Sequence, residues 1–216
     1  MAEIYPSLIA GDLMNLRKEI QTLDPEADGY HIDVMDYSFV PNLTWGPEQI
    51  NQIADSTEKP LYVHLMVDDP TNWIEKFSLP SHSTLGIHIE SKGEIRKNLL
   101  RIKDKHLQAS VVVNPETNID LIFPYLDIID SVLLMSVQPG FSGQPFLPSV
   151  IEKLDPLLGY RQTDSLKFKI GMDGGINKKN IMDLKKRQVD WFAVGSAIFD
   201  APNRLKALRE LKKLAS

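Results

Sequence analysis

Short apolar runs, five to seven residues long, return eight times along the chain and are separated by longer stretches of a different rhythm. The runs are IYPSLIA (Ile4–Ala10), YHIDVM (Tyr30–Met35), LYVHLM (Leu61–Met66), TLGIHI (Thr84–Ile89), ASVVV (Ala109–Val113), SVLLM (Ser131–Met135), LKFKIGM (Leu166–Met172) and WFAVG (Trp191–Gly195). Their length and β-branched content read as strands. Between them, stretches such as DLMNLRKEIQTL and EIRKNLLRIKDKH repeat apolar residues at three and four, the spacing of an amphipathic helix. Asp12 and Asn177 precede such stretches and are expected as helix N-caps. A last helix is predicted near Pro202–Leu214, with Lys212 and Lys213 suited to the negative end of its dipole. Eight strand-then-helix units imply parallel strands with right-handed crossovers. The expected architecture is a single (β/α)8 TIM barrel spanning residues 1–216 as one domain, with a doubly wound open sheet as its competitor.

In such a barrel the chemistry lies at the C-terminal ends of the strands and in the loops that follow. Period-two geometry puts His31, Asp33 and Met35 on one face of the second strand, opposite Ile32 and Val34. His64 and Met66 repeat that arrangement in the third strand, and the seventh runs into Met172-Asp173-Gly174-Gly175. Two histidines and two carboxylates can therefore converge in one barrel mouth, a donor set that suits a first-row divalent cation. A lone strand histidine is more often a hydrogen-bonded core residue. Asp33 among aliphatic neighbours is harder to treat so, because a buried carboxylate needs a partner or a metal. His88 and Glu90 show the same alternate spacing, and periodicity leaves the two pairs tied.

Glycines form a second group. Gly140, Phe141, Ser142 and Gly143 follow the sixth strand, Gly174 and Gly175 the seventh, and Gly195 and Ser196 the eighth. Each alone reads as a turn. Together in adjacent late loops they read as a phosphate site, because backbone amides there can converge on one anion. Ser7 offers a hydroxyl from the first strand. Met35, Met66 and Met135 end three strands and are candidates to line the pocket, although methionine there is commonly plain core.

Composition narrows the partners. The 216 residues carry a net charge of -5, which argues against nucleic acid as the main partner. No apolar run reaches bilayer length and no leader pattern opens the chain, so no membrane partner is expected and a cytoplasmic location is. Cysteine is absent, which excludes disulfides, thiolate nucleophiles and sulfur-bound zinc.

The segments HIDVMDYSFVPNLTWGP, HLM at His64–Met66, NPET at Asn114–Thr117, QPGFSGQPFLPSV, MDGGI and VGSAIF resemble the ribulose-phosphate 3-epimerase family in order and spacing. The likeness runs from Pro6 to Phe199. It implies a barrel of the ribulose-phosphate binding type and epimerisation at C3 of a ketose phosphate, with D-ribulose 5-phosphate and D-xylulose 5-phosphate as the expected pair. It also implies one divalent ion (zinc, iron, manganese or cobalt) on His31, Asp33, His64 and Asp173, with Asp33 and Asp173 as base and acid. Ser7, His64, Gly140, Phe141, Ser142, Gly143, Gly174, Gly175, Gly195 and Ser196 match the family's substrate contacts. His88 and Glu90 are not ligands in that family. A small sugar phosphate is the implied partner, and a homo-oligomer is expected.

Departures from the family pattern fall at several loops, among them Gln138 and the helix-to-strand turns LPSHSTLG and RQVDWF. Tyr37 stands where the family has glycine, and Ser142 replaces another. They leave open a longer substrate such as allulose 6-phosphate. A non-catalytic phosphate-binding barrel has no use for two acid–base carboxylates. A metal-free lyase of this fold would place a lysine at a strand end, where this chain has none.

Overall fold

The computed structural model describes residues 1–163 and 166–216. Among them, eight parallel strands form one sheet: β1 (Glu3–Pro6), β2 (Tyr30–Met35), β3 (Leu61–Met66), β4 (Thr84–His88), β5 (Gln108–Val113), β6 (Ser131–Met135), β7 (Lys169–Asp173) and β8 (Trp191–Val194). The pairing order is β1-β8-β7-β6-β5-β4-β3-β2, and a parallel bridge from Ser7 to His31 joins the two ends. The fold is a TIM barrel. The bridge that completes the circle sits at the mouth, beside the first polar strand end.

Helices α1 (Leu16–Leu23), α2 (Pro47–Ala54), α3 (Ile95–Asp104), α4 (Leu154–Thr163), α5 (Ile181–Lys186), α6 (Ser196–Phe199) and α7 (Arg204–Leu214) surround the sheet. Leu16, Ile20 and Leu23 of α1 are buried, as are Ala207, Leu208 and Leu211 of α7, which is the apolar stripe their spacing dictates. Outward strand residues such as Ile32, Val63 and Ile170 meet these stripes in one continuous core. Two crossovers carry 3-10 turns where an α-helix was expected. Pro70–Asn72 and Ile74–Lys76 link β3 to β4, and Ile119–Tyr125, with Pro124 inside it, links β5 to β6. Proline lacks the amide that a helix interior needs.

Several sequence boundaries shift. The first strand stops at Pro6, not Ala10, because the chain turns at once: the amides of Ala10 and Gly11 donate to the carbonyls of Ser7 and Leu8. Ser7 therefore lies just past the strand. The seventh strand begins at Lys169, three residues late, and takes in Asp173; the eighth ends at Val194, one residue before Gly195. Neither expected N-cap caps a helix. Asp12 accepts from the Met14 amide and the Asn15 side chain, four residues ahead of α1, and Asn177 accepts from the Lys179 amide ahead of α5. Both short side chains stabilise the turn leading into a helix instead. Asn203 does cap α7, accepting from the Lys206 amide at 2.9 Å. Among the described residues no helix is long and apolar enough to cross a membrane.

The barrel interior divides into two levels. At the lower level Tyr5, Tyr62 and Trp191 pack ring against ring, with centroids 5.4 Å (Tyr5–Trp191) and 4.5 Å (Tyr62–Trp191) apart. The Tyr62 hydroxyl donates to Ser110 Oγ at 2.7 Å, which in turn donates to the Ser131 carbonyl, so the buried polar atoms are satisfied. Gly171 makes room for this layer: a Cβ there would sit 2.0 Å from the Trp191 ring. Above the rings the lining turns polar.

Candidate active site

Strand alternation delivers the polar level. His31 and Asp33 project inward from β2 and His64 from β3, while Asp173 ends β7. Each offers one ligand atom, and those atoms lie within 4.8 Å of one another; it is the one such group among the described residues. Asp173 Oδ2 is 3.8 Å from His31 Nε2 and 3.7 Å from His64 Nδ1, while Asp33 Oδ1 is 3.2 Å from His64 Nδ1. Two ligands bound at about 2.1 Å to one tetrahedral ion stand about 3.4 Å apart, so these edges bracket the spacing of a shared cation. His31 Nε2 is buried with no hydrogen-bond partner, an orphan a cation would satisfy. The residues fit a divalent metal.

Charge is divided unevenly across the group. Burial disfavours the imidazolium of His31, but Asp33 and Asp173 outweigh it and raise its pKa to about 9. Burial also opposes ionisation of Asp33, yet His31 and His64 hold its carboxyl well below the usual range. At Asp173 burial wins, aided by repulsion from Asp33 and opposed by His31, and the pKa is pushed up to about 7. One carboxylate is thus readily ionised while its neighbour readily keeps a proton.

Both carboxylates are held by their own main chain. The Asp33 carbonyl accepts from Thr44 Oγ1 and from the Trp45 indole, each at 2.7 Å. The Asp173 carbonyl accepts from the Ser136 amide at 2.7 Å and its hydroxyl at 2.9 Å. Ser7 Oγ donates to Asp33 Oδ2 at 2.8 Å, tying the seam of the barrel to the cluster. Asp36 accepts from the amides of Ser38, Phe39 and Asp68, which binds the loop after β2 to that after β3. Sequence reading passed over Asp36, Thr44, Trp45 and Ser136; three of them stand in the HIDVMDYSFVPNLTWGP stretch, and their partners are backbone atoms that no side-chain pattern reveals.

Above the cluster opens a cleft. Asp33 and Asp173 reach its floor, and Met35, Met66, Met135, Ser7, Gly174, Gly175, Gly195 and Ser196 line it. Gly140, Phe141, Ser142 and Gly143 form its outer lip. His31 and His64 do not line the cleft; both are fully buried beneath it. Gln144 braces the lip by donating to the carbonyls of Gln138 and Phe141, and Asn42 ties the loop after β2 to it through the Gly140 carbonyl at 2.7 Å. Gly140 and Gly143 take φ of 117° and 78°, values that need glycine, whereas Ser142 has no positive φ and sits there without strain. His88 and Glu90 stand outside the four-residue group: His88 packs behind His64, away from Asp173.

Comparison with known proteins agrees in fold and sequence. Residues 3–199 match the Ribulose-phosphate 3 epimerase family. Ribulose-phosphate 3-epimerase of Aquifex aeolicus (strain VF5) is 40% identical over 215 residues, covering 99% of this chain and 97% of that protein. The enzyme of the same name from Bacillus subtilis (strain 168) is 35% identical, covering 98% and 99%. Among solved structures, KGPDC from Streptococcus mutans superposes with a TM-score of 0.72 at 15% identity, covering 100% of this chain and 97% of that one, a likeness of fold alone. With full-length matches at this identity, the chain belongs to the ribulose-phosphate 3-epimerase family.

Proposed function

We propose that this chain, acting as one catalytic domain and as a homo-oligomer, epimerises C3 of D-ribulose 5-phosphate to give D-xylulose 5-phosphate. The observation that carries the reading is the pair Asp33 and Asp173: two carboxylates at one cleft floor, on strands from different sides of the barrel, with opposite proton affinities. Inverting a carbon next to a carbonyl requires a proton to leave one face of a planar enediolate and another to arrive on the opposite face. Asp33, the readily ionised group, takes the proton in one direction; Asp173, which readily keeps its own, returns one from the other side. The roles exchange in reverse.

His31, Asp33, His64 and Asp173 would hold the divalent cation, and zinc, iron, manganese and cobalt all accept this donor set. Once bound, that ion supplies Lewis-acid stabilisation of the negative charge that develops on the substrate oxygens. Ser7 orients Asp33 through its hydroxyl. Amides near Ser142, Gly175 and Ser196 hold the phosphate and keep C3 in register for both proton transfers. Met35, Met66, Met135 and Phe141 limit water around the reacting carbon.

The test is a coupled assay of purified protein with ribulose 5-phosphate and, separately, allulose 6-phosphate, with and without chelator. Turnover of the pentose phosphate, lost on chelation and restored by a divalent ion, is expected. Turnover of the hexose phosphate alone would reassign the substrate, and turnover of neither would end the proposal.

A further inference from the structure

Behind the four-residue group lies a second line of buried polar atoms. His64 Nε2 is 2.8 Å from His88 Nε2, and His88 Nδ1 is 3.0 Å from Glu90 Oε2. Both rings are fully buried, and Phe39 packs against His88 with centroids 4.6 Å apart, fixing its orientation. We infer that Glu90 and His88 form a proton-ordered relay that sets His64 in the tautomer whose Nδ1 lone pair faces the cation site. The inference rests on the metal reading above and concerns two positioning residues that do not touch the ion.

Hydrogen-bond arithmetic fixes the order. Glu90 Oε1 accepts the Asn114 amide at 2.9 Å, and as a carboxylate Glu90 offers acceptors alone, so its other oxygen takes a donor at His88 Nδ1. A neutral imidazole has one N–H. His88 Nε2 must therefore accept, and the nitrogen facing it, His64 Nε2, must donate. That leaves His64 Nδ1 as a bare lone pair pointing at Asp33 Oδ1, 3.2 Å away, and Asp173 Oδ2, 3.7 Å away. A cation held between these three atoms would satisfy all of them at once. The opposite order, with His64 Nδ1–H donating to Asp33, would set the His88 Nδ1 lone pair against the Glu90 carboxylate. Glu90 thus decides at one end of the relay what His64 offers at the other. Outer partners of this kind commonly change metal affinity by ~10–100-fold.

The experiment reads tautomers and metal affinity, not turnover. In protein with 15N-labelled histidine, His88 is expected to carry its proton on Nδ1 in both the metal-free and the zinc-loaded form, and zinc-loaded His64 to carry its proton on Nε2. Glu90→Gln keeps the shape, but once its oxygen accepts the Asn114 amide it turns an NH2 toward His88. The relay then reverses and places a proton on His64 Nδ1. Zinc affinity, measured by chelator competition, is expected to fall ~10–100-fold, with the melting temperature of the metal-free protein nearly unchanged. His88→Phe removes the acceptor and should cost a similar factor. Because both variants cut one path, the double variant should lose little more than either alone. Wild-type His88 protonated on Nε2, or a Glu90→Gln variant binding zinc as tightly as wild type, would overturn the relay. If wild type binds no stoichiometric metal while His88 shows the expected tautomer, the cation reading fails and the relay stands.

Discussion

The two levels of the barrel interior are built from the same strands and obey opposite rules. Below, Tyr5, Tyr62 and Trp191 interlock, every buried polar atom of Tyr62 and Ser110 finds a partner, and Gly171 exists to admit a ring. Two residues further along β3 and β7, His64 and Asp173 belong to a group of acceptors crowded together with one orphaned nitrogen, His31 Nε2. Close packing without cost defines the lower level. Unpaid polarity defines the upper one, and it persists because the floor and the carbonyl anchors of Asp33 and Asp173 hold the backbone there whatever the side chains prefer. Stability and chemistry are therefore separable by level, and substitutions can test that separation.

The largest expected effect is at the upper level. Asp33→Asn and Asp173→Asn each keep size but cannot carry the proton, and each should lower epimerisation ~10²–10⁴-fold. Metal content must be measured in each variant, since both residues also belong to the donor set. Removing a desolvated carboxylate whose pKa burial has raised should leave Asp173→Asn at least as stable as wild type when metal-free. If both metal-loaded variants invert C3 at near wild-type rates, the two-carboxylate mechanism is wrong.

The lower level should answer in the other currency. Trp191→Ala empties the space between Tyr5, Tyr62 and Gly171, and Trp-to-Ala changes in cores cost ~3–5 kcal/mol. The zinc affinity of the folded fraction should change by less than tenfold. Denaturant unfolding and chelator competition on one preparation read both quantities. A large loss of affinity with little loss of stability would show that the levels are not separable.

Which parts of this were legible beforehand follows from the physics of each signal. β2, β3 and β6 fell at their expected bounds because period-two alternation and burial mark the same residues. The first strand overran, since Leu8, Ile9 and Ala10 are as apolar as a strand while their backbone turns. His31, Asp33 and His64 share an inward face by alternation alone. The tie with His88 and Glu90 could not be broken that way, because His88 also points inward; what separates it is that its two ring nitrogens face His64 and Glu90, outside the four-residue group. Thr44, Trp45 and Ser136 act on carbonyl oxygens, and such bonds depend on where distant backbone segments meet.

A pH series sharpens the account of the upper level. The His31 pKa is raised from 6.5 to about 9 by Asp33 and Asp173 against the opposing effect of burial, so its contribution to stability is complete below pH 6.5 and is lost as pH rises to about 9. Metal-free protein should lose unfolding free energy across that window. Bound cation takes the place of the proton, so saturating metal should flatten the decline, and metal affinity should rise with pH over the same interval. Unfolding curves from pH 6.5 to 9, with chelator and with excess metal, measure both. A flat metal-free profile would mean that His31 does not sit in the field of both carboxylates.

The smallest effect concerns the rim, furthest from the packed floor. Tyr37 holds φ at 65° although it is not glycine, the residue is 71% exposed, and its amide donates to the Asn42 carbonyl at 3.0 Å. A left-handed backbone costs a residue with a Cβ roughly 1–2 kcal/mol, and glycine adds back ~0.5–1 kcal/mol in unfolded-state entropy. Tyr37→Gly should therefore be neutral to stabilising by up to ~1 kcal/mol, a rise of no more than ~4 °C in Tm for a chain of this size. Tyr37→Val, with a branch at the strained position, should be destabilising. The pair isolates backbone strain from ring packing, since both variants remove the ring and only one relieves the strain. If Tyr37→Gly lost more than ~1 kcal/mol, the exposed ring would be making a stabilising contact, and the rim would follow the packing rule of the floor rather than tolerating strain as the upper level does.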